Sequence, residues 1–144
     1  AAFGIDVHRG IGRTGVVGTL RAGASQRSLG LRADMDALPV AELADLPYKS
    51  QIDGAMHACG HDVHTTCLLG AAKILSETKD DWEGTVKLIF QPGEEKNPGG
   101  ASYMIRDGAL QNPIPQGIIG LHVHPGLNFG KLSFREGRVM ASAD

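Results

Sequence analysis

Hydrophobic and polar positions along the chain switch between a period of two and a helical period. Residues 14–20 and 28–34 read as strands, and the segment Arg21-Ala22-Gly23-Ala24 between them carries the glycine of a tight connection, so the pattern predicts a hairpin. Pro39 and Pro47 bracket an irregular stretch that runs through Asp53-Gly54. From Asp62 to about Thr78, Val63, Cys67, Leu68, Ala71, Ile74 and Leu75 recur at helical spacing and predict one apolar face. Residues 84–91 are rich in β-formers and end at Pro92-Gly93, and residues 100–106 fit a short helix that stops at Gly108. Residues 117–123 are almost all apolar, as for a strand covered on both faces, and residues 129–134 supply a last strand. Helices alternating with buried strands predict an α/β layer architecture, with motifs at the strand ends.

Composition narrows the function only by exclusion. A chain of 144 residues that is 42% hydrophobic suits one compact domain. A net charge of −2 without a basic run argues against nucleic acid or anionic membrane as the main partner, and no apolar stretch is long enough to span a bilayer. Two cysteines, Cys59 and Cys67, make a poor disulfide framework, so a reducing, cytoplasmic setting is expected. Ala1-Ala2-Phe3-Gly4 lacks both an initiator methionine and signal-peptide order, and both ends read as cuts within a longer protein.

Three clusters carry the chemistry. The first, His57-Ala58-Cys59-Gly60-His61-Asp62-Val63-His64, concentrates the side chains that bind zinc and its first-row neighbours. Gly60 lets Cys59 and His61 turn toward one point. Asp62 is read first as a helix cap or as a group holding a ligand imidazole, and second as a ligand itself. The second cluster is Glu94-Glu95, after the predicted strand. An adjacent pair can supply one ligand and one free base, although two solvated acids in a turn is the reading the pair would receive alone. In the third, a period of two places His122 and His124 on one strand face. A single such histidine would more often be structural.

Taken in order, Gly12-Arg13-Thr14-Gly15-Val16-Val17-Gly18, Leu31-Arg32-Ala33-Asp34-Met35-Asp36-Ala37-Leu38-Pro39, Met56 to Asp62, Phe90 to Glu95 and Gly120-Leu121-His122-Val123 resemble the dinuclear metal amidohydrolases related to hippurate hydrolase, N-acyl-L-amino acid amidohydrolases and plant auxin-conjugate hydrolases. The resemblance implies an α/β, zinc-peptidase-like catalytic domain with a central mixed sheet flanked by helices. Residues 1–144 would be part of it, cut where Met140 to Asp144 resembles the passage into a smaller dimerisation domain. It also implies Cys59, His61, Glu95 and His122 as metal ligands and Glu94 as general acid/base. His124 is left outside the ligand set, and His57 and His64 are placed in the cleft or behind the ligands. Asp34 and Asp36 either orient ligands or belong to a capped turn. His8 is read as a surface histidine and Cys67 as helix packing.

The activity so implied is hydrolysis of the amide of an N-acyl or N-aroyl amino acid, a small-molecule substrate, with two divalent ions, zinc or manganese and with cobalt or nickel also accommodated. The longer parent would be a homodimer. Because the resembling family completes its site with later segments, these residues alone are expected to carry most of one metal site with little activity, and to associate through uncovered apolar edges. Two other readings stand beside this one. A metallocarboxypeptidase, dipeptidase or deacetylase would keep the metals and change the substrate. A non-catalytic metal-binding fragment is disfavoured by the Glu94-Glu95 pair, since a structural metal has no use for a spare base.

Overall fold

A computed structural model describes residues 2–134, 136 and 137. Five strands, β1 (Asp6–Ile11), β2 (Gly15–Ala22), β3 (Ser28–Asp34), β4 (Gly84–Gln91) and β5 (Ile118–Gly120), form one sheet in the order β1-β2-β4-β3-β5. Two helices, α1 (His61–Glu77) and α2 (Gly100–Arg106), accompany it. β1 and β2 are antiparallel, as are β2 and β4, whereas β3 runs parallel to both β4 and β5. No helix among the described residues is long and apolar enough to cross a membrane.

The centre of the sheet goes to the segment that can be covered on both faces. Seven of the eight β4 residues are buried. Val86 and Leu88 face α1 in a core with Ile5, Leu20, Ala33, Leu68 and Ala72, while Ile89 faces α2 in a second core with Val17, Met104 and Ala109. Leu20 and Leu88 are each 1% exposed, and burying such a side chain contributes about 1.5–3 kcal/mol.

This arrangement overturns the predicted hairpin. Both strands form, but β4 lies between them, pairing Ala22 with Gly84 on one side and Ser28 with Thr85 on the other. The segment 23–27 therefore bridges two strand spacings, about 10 Å, rather than turning back on its neighbour. It passes so close to the start of β4 that a Cβ on Gly84 would lie 2.7 Å from the Arg27 carbonyl oxygen.

Three further expectations are corrected. The strand over 117–123 shrinks to β5, which among the described residues pairs only with β3 and leaves Ile118 and Ile119 about half exposed, so it is not covered on both faces. Residues 129–134 form no strand, and Phe129, Leu132 and Phe134 are exposed. On α1 the buried face is His61, His64, Leu68 and Ala72, with Leu75 packed beside it. Val63, Ile74 and Cys67 point outward, so Cys67 is an exposed thiol and not core packing. The two histidines take the inward positions nearest the sheet edge, which rotates the helix away from its most apolar stripe. The passage at Met140 to Asp144 lies outside the described residues.

Candidate metal centre at the strand ends

Parallel pairing brings the C-terminal ends of β3, β4 and β5 to one edge of the sheet, with Asp34 opposite Gln91 and Gly120 opposite Arg32. Crevices outside such ends are where open α/β sheets place ligands. Each end delivers one part of the site. Asp34 and Asp36 follow β3, Glu94 and Glu95 follow β4, His122 follows β5, and the N-terminus of α1 brings Cys59 and His61.

Local backbone chemistry aims these groups. Gly60 starts α1 at φ 80°, and a Cβ there would come 2.3 Å from Val123 Cγ2, so a side chain at this position would push the His122 loop away. The loop bearing the glutamates is closed by the Gly100 N–H donating to the Gly93 carbonyl at 2.8 Å, and a Cβ on Gly100 would lie 1.6 Å from the Pro92 oxygen. Asp36 Oδ2 accepts the Glu95 N–H at 3.0 Å, which ties that loop to the end of β3.

His61 stands at the centre, 1% exposed. Its Nδ1 is 3.3 Å from Asp36 Oδ1, and its Nε2 is 3.7 Å from Asp34 Oδ2 and 3.8 Å from Glu95 Oε1. Both its ring nitrogens and Asp36 Oδ1 are buried without a hydrogen-bond partner. Buried polar atoms are seldom left so, because each costs about 1–3 kcal/mol. Donor atoms of Cys59, His61 and His122 lie within 4.8 Å of one another, as do those of His61, Glu94 and Glu95.

The tautomer of His122 follows from its partner. Its Nδ1 lies 2.7 Å from the Val123 carbonyl, which can only accept, so the proton sits on Nδ1 and the lone pair of Nε2 faces Cys59 Sγ at 3.5 Å. Thiolate and imidazole bound to one tetrahedral zinc stand about 3.6 Å apart by ordinary bond lengths. Burial, contact with Glu95 and the nearby carboxylates of Glu94 and Asp34 push the Cys59 thiol up from its ordinary value. Burial opposes charge on Asp34 and Asp36, yet both carboxyls are held below the usual range. For Asp34 the His64 bond and Arg32 outweigh burial, and for Asp36 the backbone N–H groups of Glu95 and Glu94 do so. Anionic carboxylates, a thiol and an unpartnered imidazole converging in this way fit a divalent cation.

The remaining sequence candidates separate clearly. His124 sits in a turn beyond β5 with its Nδ1 accepting the Gly126 N–H at 3.1 Å, because the strand that would have aligned it with His122 ends at Gly120. Asp62 is exposed in the first turn of α1, where no side chain caps the helix. There its charge favours the helix dipole. His57 is exposed, and His8 is exposed beside Asp6 at 3.4 Å. His64 is placed by sequence reasoning in the cleft or behind the ligands, without its partners being indicated. It is buried, and both its ring nitrogens are engaged, one by Asp34 and one by the Val123 N–H.

Comparison with other proteins agrees with this fold. The family described as peptidase family M20/M25/M40 matches residues 30–139, a stretch that includes Asp34, Asp36, Cys59, His61, His64, Glu94, Glu95 and His122. Hippurate hydrolase of Campylobacter jejuni is 48% identical over 142 residues, covering 99% of this chain and 36% of that protein. Thermostable carboxypeptidase 2 of Saccharolobus solfataricus is 44% identical over 144 residues, covering 99% of this chain and 36% of its own. The crystal structure of the YxeP protein of Bacillus subtilis, described as a dinuclear metal-binding peptidase, superposes with a TM-score of 0.79 at 37% identity over 87% of this chain and 34% of that one. The chain thus spans about a third of the length of these relatives. With the family match covering the β3, α1, β4 and β5 segments that build the centre, the chain belongs to peptidase family M20/M25/M40.

Proposed function

We propose that this chain is part of the catalytic domain of a metal-dependent amidohydrolase that cleaves the amide joining an acyl group to an amino acid. Cys59, His61, Glu95 and His122 would hold the metal, with Glu94 as acid and base. The observation that carries the reading is the buried imidazole of His61, unpartnered at both nitrogens and surrounded by a thiol, carboxylates and a second imidazole from four segments. A nearby Asp34-His61-His64 grouping is a poorer candidate, because neither nitrogen of His64 is free. Support for a pair of ions comes from donors on both sides of His61 and from the dinuclear description of the Bacillus protein. Thiolate favours zinc, and the carboxylates accept manganese equally well.

Two divalent ions held by these residues would supply a water of lowered pKa and a polarised amide carbonyl. Glu94, exposed and beside Glu95, takes a proton from the attacking water at its carboxylate and returns it to the departing nitrogen. Glu94→Gln keeps the shape and loses the base. In the longest natural form of the protein, hydrolysis of an N-acyl amino acid should fall by about 10²–10⁴-fold with metal content unchanged. A variant turning over at the wild-type rate would reject the assignment.

The relation to a thermostable carboxypeptidase favours a second substrate reading, in which the amide is a peptide bond. The same metal centre serves both. Rates on benzoylglycine and other acyl amino acids against dipeptides decide between them. The remaining expectations for the longer protein, a homodimer acting in the cytoplasm on a small molecule, belong to this proposal as well.

A further inference from the structure

His64 has no place in the ligand set, yet it is more enclosed than Cys59, Glu95 or His122. Its Nδ1 lies 2.6 Å from Asp34 Oδ1, and its Nε2 accepts the Val123 N–H at 2.9 Å. A backbone N–H only donates, so Nε2 carries the lone pair and the ring proton points from Nδ1 at the carboxylate. The other oxygen of Asp34 accepts from Arg32 at 2.8 Å, and the same guanidinium donates through Nε to Gln91 Oε1 at 2.9 Å. One chain of hydrogen bonds thereby runs from the loop after β5, through α1 and the end of β3, to the end of β4. Every segment it joins contributes to the candidate centre.

Its effect is greatest where the sheet gives out. The β5 ladder ends at Gly120, and Val123 lies beyond it outside any strand. The Val123 backbone is held at its N–H by His64, and its carbonyl, in the next peptide group, accepts the Nδ1 proton of His122 and so turns Nε2 toward Cys59. The His64 ring stands 4.5 Å from the His122 ring, centroid to centroid. We infer that His64 is a positioning residue, a clamp that fixes the Val123 peptide against α1 and thereby sets His122 for metal binding. The inference rests on the ligand set proposed above. It extends that set by a residue that touches neither metal nor substrate.

Two measurements on the 144-residue chain test it. The first uses no metal: nitrogen NMR of the His64 ring together with exchange of the Val123 amide. The clamp predicts an Nδ1-protonated ring and a Val123 amide that exchanges slowly although it lies in a loop. A ring protonated on Nε2, or a Val123 amide exchanging at the rate of free peptide, would overturn it. The second compares zinc affinity in His64→Asn, whose shorter amide keeps a donor toward Asp34 but does not reach Val123. Affinity should drop about 10–100-fold, the usual effect of removing a group that orients a metal ligand, with faster Val123 exchange. Wild-type affinity in this variant would contradict the clamp's role. A wild-type chain that holds no zinc would sink the ligand assignment, and the clamp itself would still be decided by the ring tautomer and the Val123 amide.

Discussion

At the scale of single residues, the centre depends on places where ordinary side chains do not fit. Gly60 combines φ 80° with a 2.3 Å approach of its absent Cβ to Val123. Gly60→Ala should cost at least about 1–2 kcal/mol from the left-handed backbone alone, and it should also push the His122 loop outward. Denaturant unfolding of the metal-free variant checks this, and wild-type stability would show that the close approach is readily relieved. The candidate ligands could be read in the sequence because thiol, imidazole and paired carboxylates seldom crowd together without a metal. The clamp could not. Its two bonds connect residues 30 and 59 positions apart, Asp34 to His64 and His64 to Val123, so no local spacing announces them.

At the scale of elements, β4 organises the fold through covering on both faces. It also carries a buried amine: Lys87, 3% exposed, donates to the carbonyls of Ala109 at 2.8 Å and of Gln111, and so ties the turn after α2 to the sheet. Burial, with Arg21 adding to it, holds the Lys87 amine below its ordinary value of 10.5. Between the folded and unfolded pKa values the unfolded chain binds more protons, so this group's contribution to stability rises with pH toward 10.5. Lys87→Met leaves two carbonyls without a donor and should cost about 1–3 kcal/mol. The difference between wild type and variant in urea unfolding should widen from neutral to alkaline pH. A difference that is constant or shrinks would mean that the amine is not held low.

Element types were legible where periodicity and punctuation agreed. Residues 28–34 and 100–106 match β3 and α2, and 84–91 match β4. Pairing was not legible. Turn chemistry at Gly23 suits a hairpin, but the hydrophobic demand of a strand more than fifty positions later separates β2 from β3. The face of α1 was misread for a related reason. Histidine is not counted as apolar, yet His61 and His64 are both buried: polar partners wait for His64 at the end of β3 and beyond β5, and His61 is enclosed among the candidate ligands.

At the scale of the whole molecule, three parallel strand ends and one helix start meet at a single edge, which is how a chain spanning about a third of its relatives' length still assembles a donor set. The same chain leaves β5 as an edge and exposes Ile118, Ile119 and Leu121 beside it, an arrangement that invites further pairing. The central claim is that Cys59, His61, Glu95 and His122 converge on a metal. The most direct test is elemental analysis of the 144-residue chain after equilibration with zinc and removal of free ions, alongside Cys59→Ser and His122→Ala. The account predicts roughly stoichiometric zinc in the wild type and clear loss in both variants. A wild type that retains no zinc, or variants that retain as much as the wild type, would contradict it.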